Sequence, residues 1–195
     1  MSKTERAERT YQGISIPPPG EYLLDPAHTT VEFVARHMLT KVRGRFTDFD
    51  GTIAVGETPE DSSVRVAVRT GSVTTNEEQR DAHLRTSDFF EVDNHPELTF
   101  TSTAFRPTGG AGFELDGDLS IKGVTRPVTL RGEFLGWGKD GWGKDRLFAE
   151  ARARVNREEW NLLWNMAVEL TGFLVARDVD LEIQVQAVRQ DPDAE

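Results

Sequence analysis

VDLEIQVQAV, residues 179–188, alternates without interruption: Val179, Leu181, Ile183, Val185 and Ala187 fall on one side, Asp180, Glu182, Gln184 and Gln186 on the other. A side-chain period of two belongs to a strand with one dry face and one wet face. The pattern recurs upstream. VTLRGEFLG at 128–136 groups Val128, Leu130, Gly132 and Phe134, and FELDGDLSI at 113–121 groups Phe113, Leu115, Gly117, Leu119 and Ile121. LTFTSTAF at 98–105 sets Leu98, Phe100, Ser102 and Ala104 against Thr99, Thr101, Thr103 and Phe105, threonine being suited to a wet strand face. SVRVAVRT at 63–70 aligns Val64, Val66 and Val68, and VEFVARHM at 31–38 aligns Val31, Phe33, Ala35 and His37. Less regular runs predict further strands at 45–55, 147–156 and 166–175. About eight long strands with one apolar face close either as a two-sheet sandwich or as a single barrel. Glycines within the patterns, at 51, 117, 132 and 172, favour the barrel because they permit bends and bulges at corners.

One stretch breaks the period. In TNEEQRDAHLRTSDFF, residues 75–90, Thr75 and Glu78 have the spacing of a capping box, and Asp81 and Arg85 can pair one turn apart. This predicts a short helix over 76–86. A lone helix among strands leaves the fold all-β, since an α/β chain would alternate the two repeatedly. The repeat GWGKDGWGKD at 136–145 marks a hairpin loop or rim.

A chain of 195 residues suits one sizeable domain with tails. The expected division is a polar tail over 1–20 ending in Pro17–Pro19, a β domain over 21–189, and an acidic tail, QDPDAE, over 190–195. With 23 Lys and Arg against 33 Asp and Glu the net charge is −10, which argues against a nucleic-acid partner. Eleven Phe and four Trp lie within the patterned runs and supply a core. The absence of Cys excludes disulfides, zinc–thiolate sites, iron–sulfur centres and a thiol nucleophile. No apolar run approaches the ~20 residues that span a bilayer. Where an export leader would need its apolar core the chain reads YQGISIPPPG, so a cytoplasmic protein is expected.

Histidines occur at 28, 37, 83 and 95, with neither HExxH nor an i,i+4 pair, and are expected to be structural, without metal. Asp25 with His28, and Asp81 with His83, have acid–base potential, but Asp25-Pro26 also reads as a turn starter whose carboxylate binds a following amide. No GxSxG occurs, and neither a Walker A loop nor a GxGxxG precedes a helix, so no catalytic residue or cofactor is expected. RHMLTKVRGRF at 36–46 is a basic interval in an acidic protein. Arg36, Lys41, Arg43 and Arg45 suit an anionic headgroup; equally, they suit a hairpin that pairs with Asp48, Asp50 or the helix acids. Phe33, Phe46, Phe49, Phe100, Phe113 and Phe134 would line a barrel interior, which at eight strands is either a filled core or a site for one small ligand.

Three blocks carry a family resemblance: LDPAHTTVEFVARHMLTKVRGRFTDFDGTI at 24–53, TTNEEQRDAHLRTSDFFEVDNHPELTF at 74–100, and GDLSIKGVTRPVTL at 117–130. NREEWNLLWN and the apolar last strand are similar too. In this order, over about residues 20–189, they resemble the YceI-like family, the polyisoprenoid-binding, lipocalin-like domain. The resemblance implies an extended eight-stranded antiparallel barrel with one inserted helix, often a homodimer. Its lumen is associated with a long isoprenoid chain, as in a polyprenyl phosphate or a quinone tail. Asp25, His28, Arg36, His37 and Arg43 to Phe46 match recurrent family positions, and Asn76, Arg80, Asp81 and His83 match the NxxRDxHL helix motif, read here as scaffold. Trp160 and Trp164 stand where Phe and smaller residues are frequent, and would narrow or shorten the lumen.

The expectation is a non-catalytic carrier of a long-chain isoprenoid lipid. Phe33, His37, Phe46, Phe49, Phe100, Phe113, Phe134 and Trp164 would contact the chain, and Arg36, Arg43 and Arg45 the head. The rivals are an enzyme acting on an amphiphilic substrate through His and Asp, and a ligand-free structural or stress-related β protein.

Overall fold

The computed structural model describes residues 9–167 and 174–190. A hairpin, β1 (Arg9–Tyr11) and β2 (Ile14–Ile16), precedes β3 (Gly20–Leu24) and β4 (Thr30–His37). Then come β5 (Thr40–Phe46), β6 (Phe49–Val55), β7 (Ser63–Arg69) and β8 (Val73–Thr74). The helix α1 (Glu78–Arg85) leads to β9 (Glu97–Gly109), β10 (Gly112–Ile121), β11 (Val124–Lys139), β12 (Asp145–Asn156) and β13 (Val175–Arg189).

Closure is made by β13, which pairs with β12 along one edge and with β3 and β4 along the other. Because β3 with β4, β5 with β6, and β7 with β8 each form one interrupted stave, the sheet is an eight-staved antiparallel barrel in chain order. Full closure leaves no long unpaired edge. Every turn between neighbouring staves alternates between two ends. The 38–39 turn, α1 and the 157–167 segment lie at one end; residues 56–62, the 110–111 turn and the β1–β2 hairpin lie at the other.

The interruptions are patched by side chains. Between β3 and β4 the Asp25 carboxylate accepts from Ala27 N (3.1 Å) and from Arg146 Nη1 (2.7 Å), as expected of a turn starter. Thr29 Oγ1 donates to the Gln186 carbonyl (2.9 Å) and accepts from Gln186 N (3.1 Å), replacing ladder bonds lost at the break.

Strand faces match the alternating pattern with one instructive exception. Ala104 pairs with Asp116 and Ser102 with Gly117, which leaves Thr103 as an extra residue in β9. Such a bulge inverts the parity of everything beyond it. Phe105, expected opposite Phe100, therefore points inward and stacks on Phe113 with ring centroids 5.0 Å apart.

Three further expectations need correction. Residues 9–16 of the expected tail form the β1–β2 hairpin, which Trp137 Nε1 anchors by donating to Ser15 Oγ (3.0 Å). Within the expected strand at 166–175, residues 166, 167 and 174 are not in a strand, and β13 begins at Val175; 168–173 lie outside the described residues, as does Gly172. Finally, α1 is capped by Glu77, whose carboxylate accepts from Gln79 N (3.1 Å) and Arg80 N (2.7 Å), and not by Thr75.

Thr75 instead serves Asp81. Its hydroxyl donates to Asp81 Oδ1 (2.5 Å), its N–H donates to the same oxygen (2.7 Å), and Thr74 Oγ1 donates to Oδ2 (2.8 Å). Burial would raise the Asp81 pKa, but these hydrogen bonds outweigh it and hold the carboxyl below the usual range, with Arg85 adding to the effect. Arg85 itself donates to the carbonyls of Gly71 (2.9 Å) and Val73 (2.8 Å), so the helix is tied to the barrel by polar bonds.

Candidate functional site: the barrel lumen

The inward faces enclose a cavity of about 770 Å³. Its walls come from nearly every stave: Val66 from β7, Leu115 from β10, Leu130 from β11 and Ile183 from β13 are representative. Room for it arises where glycine faces an aromatic ring. Phe33 pairs with Gly44 and Phe113 with Gly132 across neighbouring strands, and each ring lies over its glycine. Phe100 likewise covers Gly117. The rings are thus laid along the wall, where a larger partner would push them into the lumen. This gives three of the expected barrel glycines a further role, since Gly51 too is crowded, by the Arg65 carbonyl and Leu24.

The two ends differ in chemistry. Tyr11, Ile14, Ile16 and Pro17 wall the lumen at the hairpin end. At the helix end the lining includes His37, Arg80, His83, Arg157 and Trp164. His83 packs edge-on against Trp164 and Phe89, with centroids 4.6 Å and 5.2 Å away, and its Nε2 is 2.9 Å from Asp88 Oδ2. Trp160 is 1 % exposed and donates from Nε1 to the Leu119 carbonyl (3.0 Å), so it forms wall beneath this end. Arg80 is half-buried, its Nε donating to Thr75 Oγ1 (2.7 Å) and its Nη2 to the Thr75 carbonyl (3.2 Å). Arg157, only 5 % exposed, donates to the carbonyls of Ala176 (3.0 Å), Leu162 and Val175 (3.4 Å). Burial pulls its pKa below the ordinary guanidinium value, yet an arginine stays charged.

Of the expected contact residues, Phe33, His37, Phe46, Phe100, Phe113, Phe134 and Trp164 line the lumen. Phe49 does not: beyond the break at Thr47 and Asp48 its ring is buried in the core outside the cavity lining. The basic interval also needs correction. Arg36, Lys41, Arg43 and Arg45 are all exposed and none lines the lumen, because inward Ala35, His37, Val42 and Phe46 leave the alternate positions on the outside. Arg43 Nη1 there meets Glu32 (2.7 Å) and Glu182 (2.5 Å) from neighbouring strands. Arg157 was missed although it lies in the NREEWNLLWN block, since spacing alone does not distinguish a buried arginine from a solvated one.

Comparison with known proteins agrees with this geometry. The family model described as YceI-like domain matches residues 22–187. A UPF0312 protein of Pectobacterium atrosepticum is 36% identical over 174 residues, covering 87% of each chain. Protein YceI of Shigella flexneri is 36% identical over 165 residues, covering 84% of this chain and 83% of its own. Among solved structures, a polyisoprenoid binding domain from Saccharophagus degradans implicated in plant cell wall breakdown superposes with a TM-score of 0.67 at 14% identity, covering 89% of this chain and 100% of that one.

Proposed function

This chain belongs to the YceI-like family, and we propose on that footing that it binds a long-chain isoprenoid lipid in the barrel lumen and sequesters or carries it without covalent chemistry. The observation that carries this reading is the apolar cavity reaching from the hairpin to α1, walled mainly by aromatic and aliphatic side chains. The likeness to a fold named for polyisoprenoid binding supports the same ligand class.

At ~0.8 kcal/mol per buried CH₂, each five-carbon unit contributes a few kcal/mol of gross transfer free energy, so a few units offset the cost of ordering a flexible chain. A slender chain that carries only methyl branches suits a lumen whose walls are ring faces. The homodimer that the resemblance implies, and an intracellular site of action, are part of the same proposal. No helix among the described residues is long and apolar enough to cross a membrane.

The test is native mass spectrometry of protein purified without detergent, followed by organic extraction. One recurrent long-chain lipid in stoichiometric amount is the expected result. A ligand-free protein that also fails to take up a C20 isoprenoid alcohol would overturn the proposal.

A further inference from the structure

Arg157 is a fixed charge beside an apolar cavity. Among the described residues its hydrogen bonds go to three neutral carbonyls and no carboxylate lies within ion-pair distance, Glu158 attracting it only from farther off. Arg80 stands at the same end of the lumen, held by two bonds to Thr75, and it too has no carboxylate partner among the described residues. A guanidinium has five N–H donors, so both retain donors beyond the bonds just named. Removing a charge from water costs several kcal/mol unless a partner compensates, and carbonyl dipoles compensate only in part. The nearby acids are committed elsewhere. Glu77 caps α1, Asp88 meets His83, and Asp81 is enclosed by Thr74 and Thr75. Glu158 pairs with Arg177 at 3.3 Å.

We infer that the helix end of the lumen is an anion-binding head site, in which Arg80 and Arg157 receive the phosphate or carboxylate head of a lipid whose chain fills the lumen. The inference rests on the lipid-binding reading and adds to it the orientation of the ligand, head toward α1 and tail toward the β1–β2 hairpin, and the charge of its head. Arginine suits both anions because its forked donors match two oxygens at once. The low dielectric of the lumen strengthens the attraction and shields it from salt, unlike the screened arginines on the outer face. His37 and His83 line the same end of the lumen.

The experiment measures binding of three probes with one tail, geranylgeranyl phosphate, geranylgeranoic acid and geranylgeraniol, to the wild type, Arg80→Gln, Arg80→Lys and Arg157→Gln. Circular dichroism verifies folding of each variant. The expected wild-type result is at least tenfold tighter binding of one or both anionic probes than of the alcohol; their rank distinguishes a phosphate head from a carboxylate head. In Arg80→Gln that preference should fall about tenfold with the alcohol unchanged, and Arg80→Lys should restore part of it. If Arg157→Gln does not fold, Arg80→Gln carries the test, because its side chain is only half-buried. Equal binding of all three probes by the wild type, or an anion preference unaltered in Arg80→Gln, would overturn the head site and leave lipid binding standing. Failure of every probe to bind would overturn both.

Discussion

The ring of Phe113 occupies the space that a side chain at its cross-strand partner Gly132 would need: a Cβ there would overlap Phe113 Cζ and the Glu150 carbonyl oxygen. The same relation joins Phe33 to Gly44. Gly132→Ala should therefore destabilise the barrel by about 1–3 kcal/mol, the usual cost of overpacking a tight interior. Gly138→Ala, where a Cβ would meet nothing within 4 Å, is the control and should stay within about 0.5 kcal/mol of the wild type in urea denaturation.

Ala149 lines the lumen on β12, opposite Phe134. Ala149→Phe places a ring in the space proposed for the lipid chain. Affinity for a C20 isoprenoid alcohol should drop at least about tenfold, equivalent to ~1.4 kcal/mol, in a variant whose folding circular dichroism verifies, since Phe134 opposite must shift to admit the ring. Fluorescence displacement with the folded variant measures it. Undiminished affinity would place the ligand outside the lumen.

The outer-face arginines give the opposite expectation. Arg43 is bound to Glu32 and Glu182 on the exterior, and Arg45 is exposed beside them. Replacing both with Gln should leave affinity for geranylgeranyl phosphate and for geranylgeraniol unchanged, with at most a slight shift in melting temperature, as is usual for exposed ion pairs. Isothermal titration with the two lipids checks this against Arg80→Gln.

Asp81 makes stability pH-dependent. Its folded pKa lies below the unfolded value of about 3.9, so its contribution is complete above that value and is lost as pH falls through the folded pKa. Asp81→Asn should be less stable than the wild type at pH 7, by about 1–3 kcal/mol for the hydrogen bonds it forfeits. The gap should narrow at pH 3. Urea melts at the two values provide the comparison, and a gap that widens on acidification would reverse the assignment.

Glu77 and Thr75 separate two roles that the capping-box spacing merges. Glu77→Ala removes the cap of α1 and should cost about 0.5–2 kcal/mol. Thr75→Ala removes a hydroxyl that donates to Asp81 and accepts from Arg80, so it should also lower the affinity for an anionic lipid relative to its alcohol. Paired melts and titrations of the two variants test the distinction.

Much of the site was already written in the strand alternation. Once Ala35 and His37 are assigned inward, Arg36 must point outward, and across the hairpin Val42 and Phe46 impose the same on Arg43 and Arg45. The basic composition of the interval suggested a mouth, but parity was the better guide, because a side chain's face is set by backbone geometry and its charge is not.

By itself the sequence determined most of the long strands, the dry face of each up to any bulge, and the lone helix, since period two and period 3.6 are local properties of a few neighbouring residues. Family blocks added the barrel. Three things required the tertiary structure: the Thr103 bulge that turns Phe105 inward, the glycine–phenylalanine pairs that set the wall, and the placement of both Arg80 and Arg157 in the lining at the helix end of the lumen. Each depends on how one segment is registered against another. The bulge sits where 97–109 pairs with 112–121 across the 110–111 turn, and Arg157 reaches the carbonyls of 175 and 176; alternation within one strand specifies neither register.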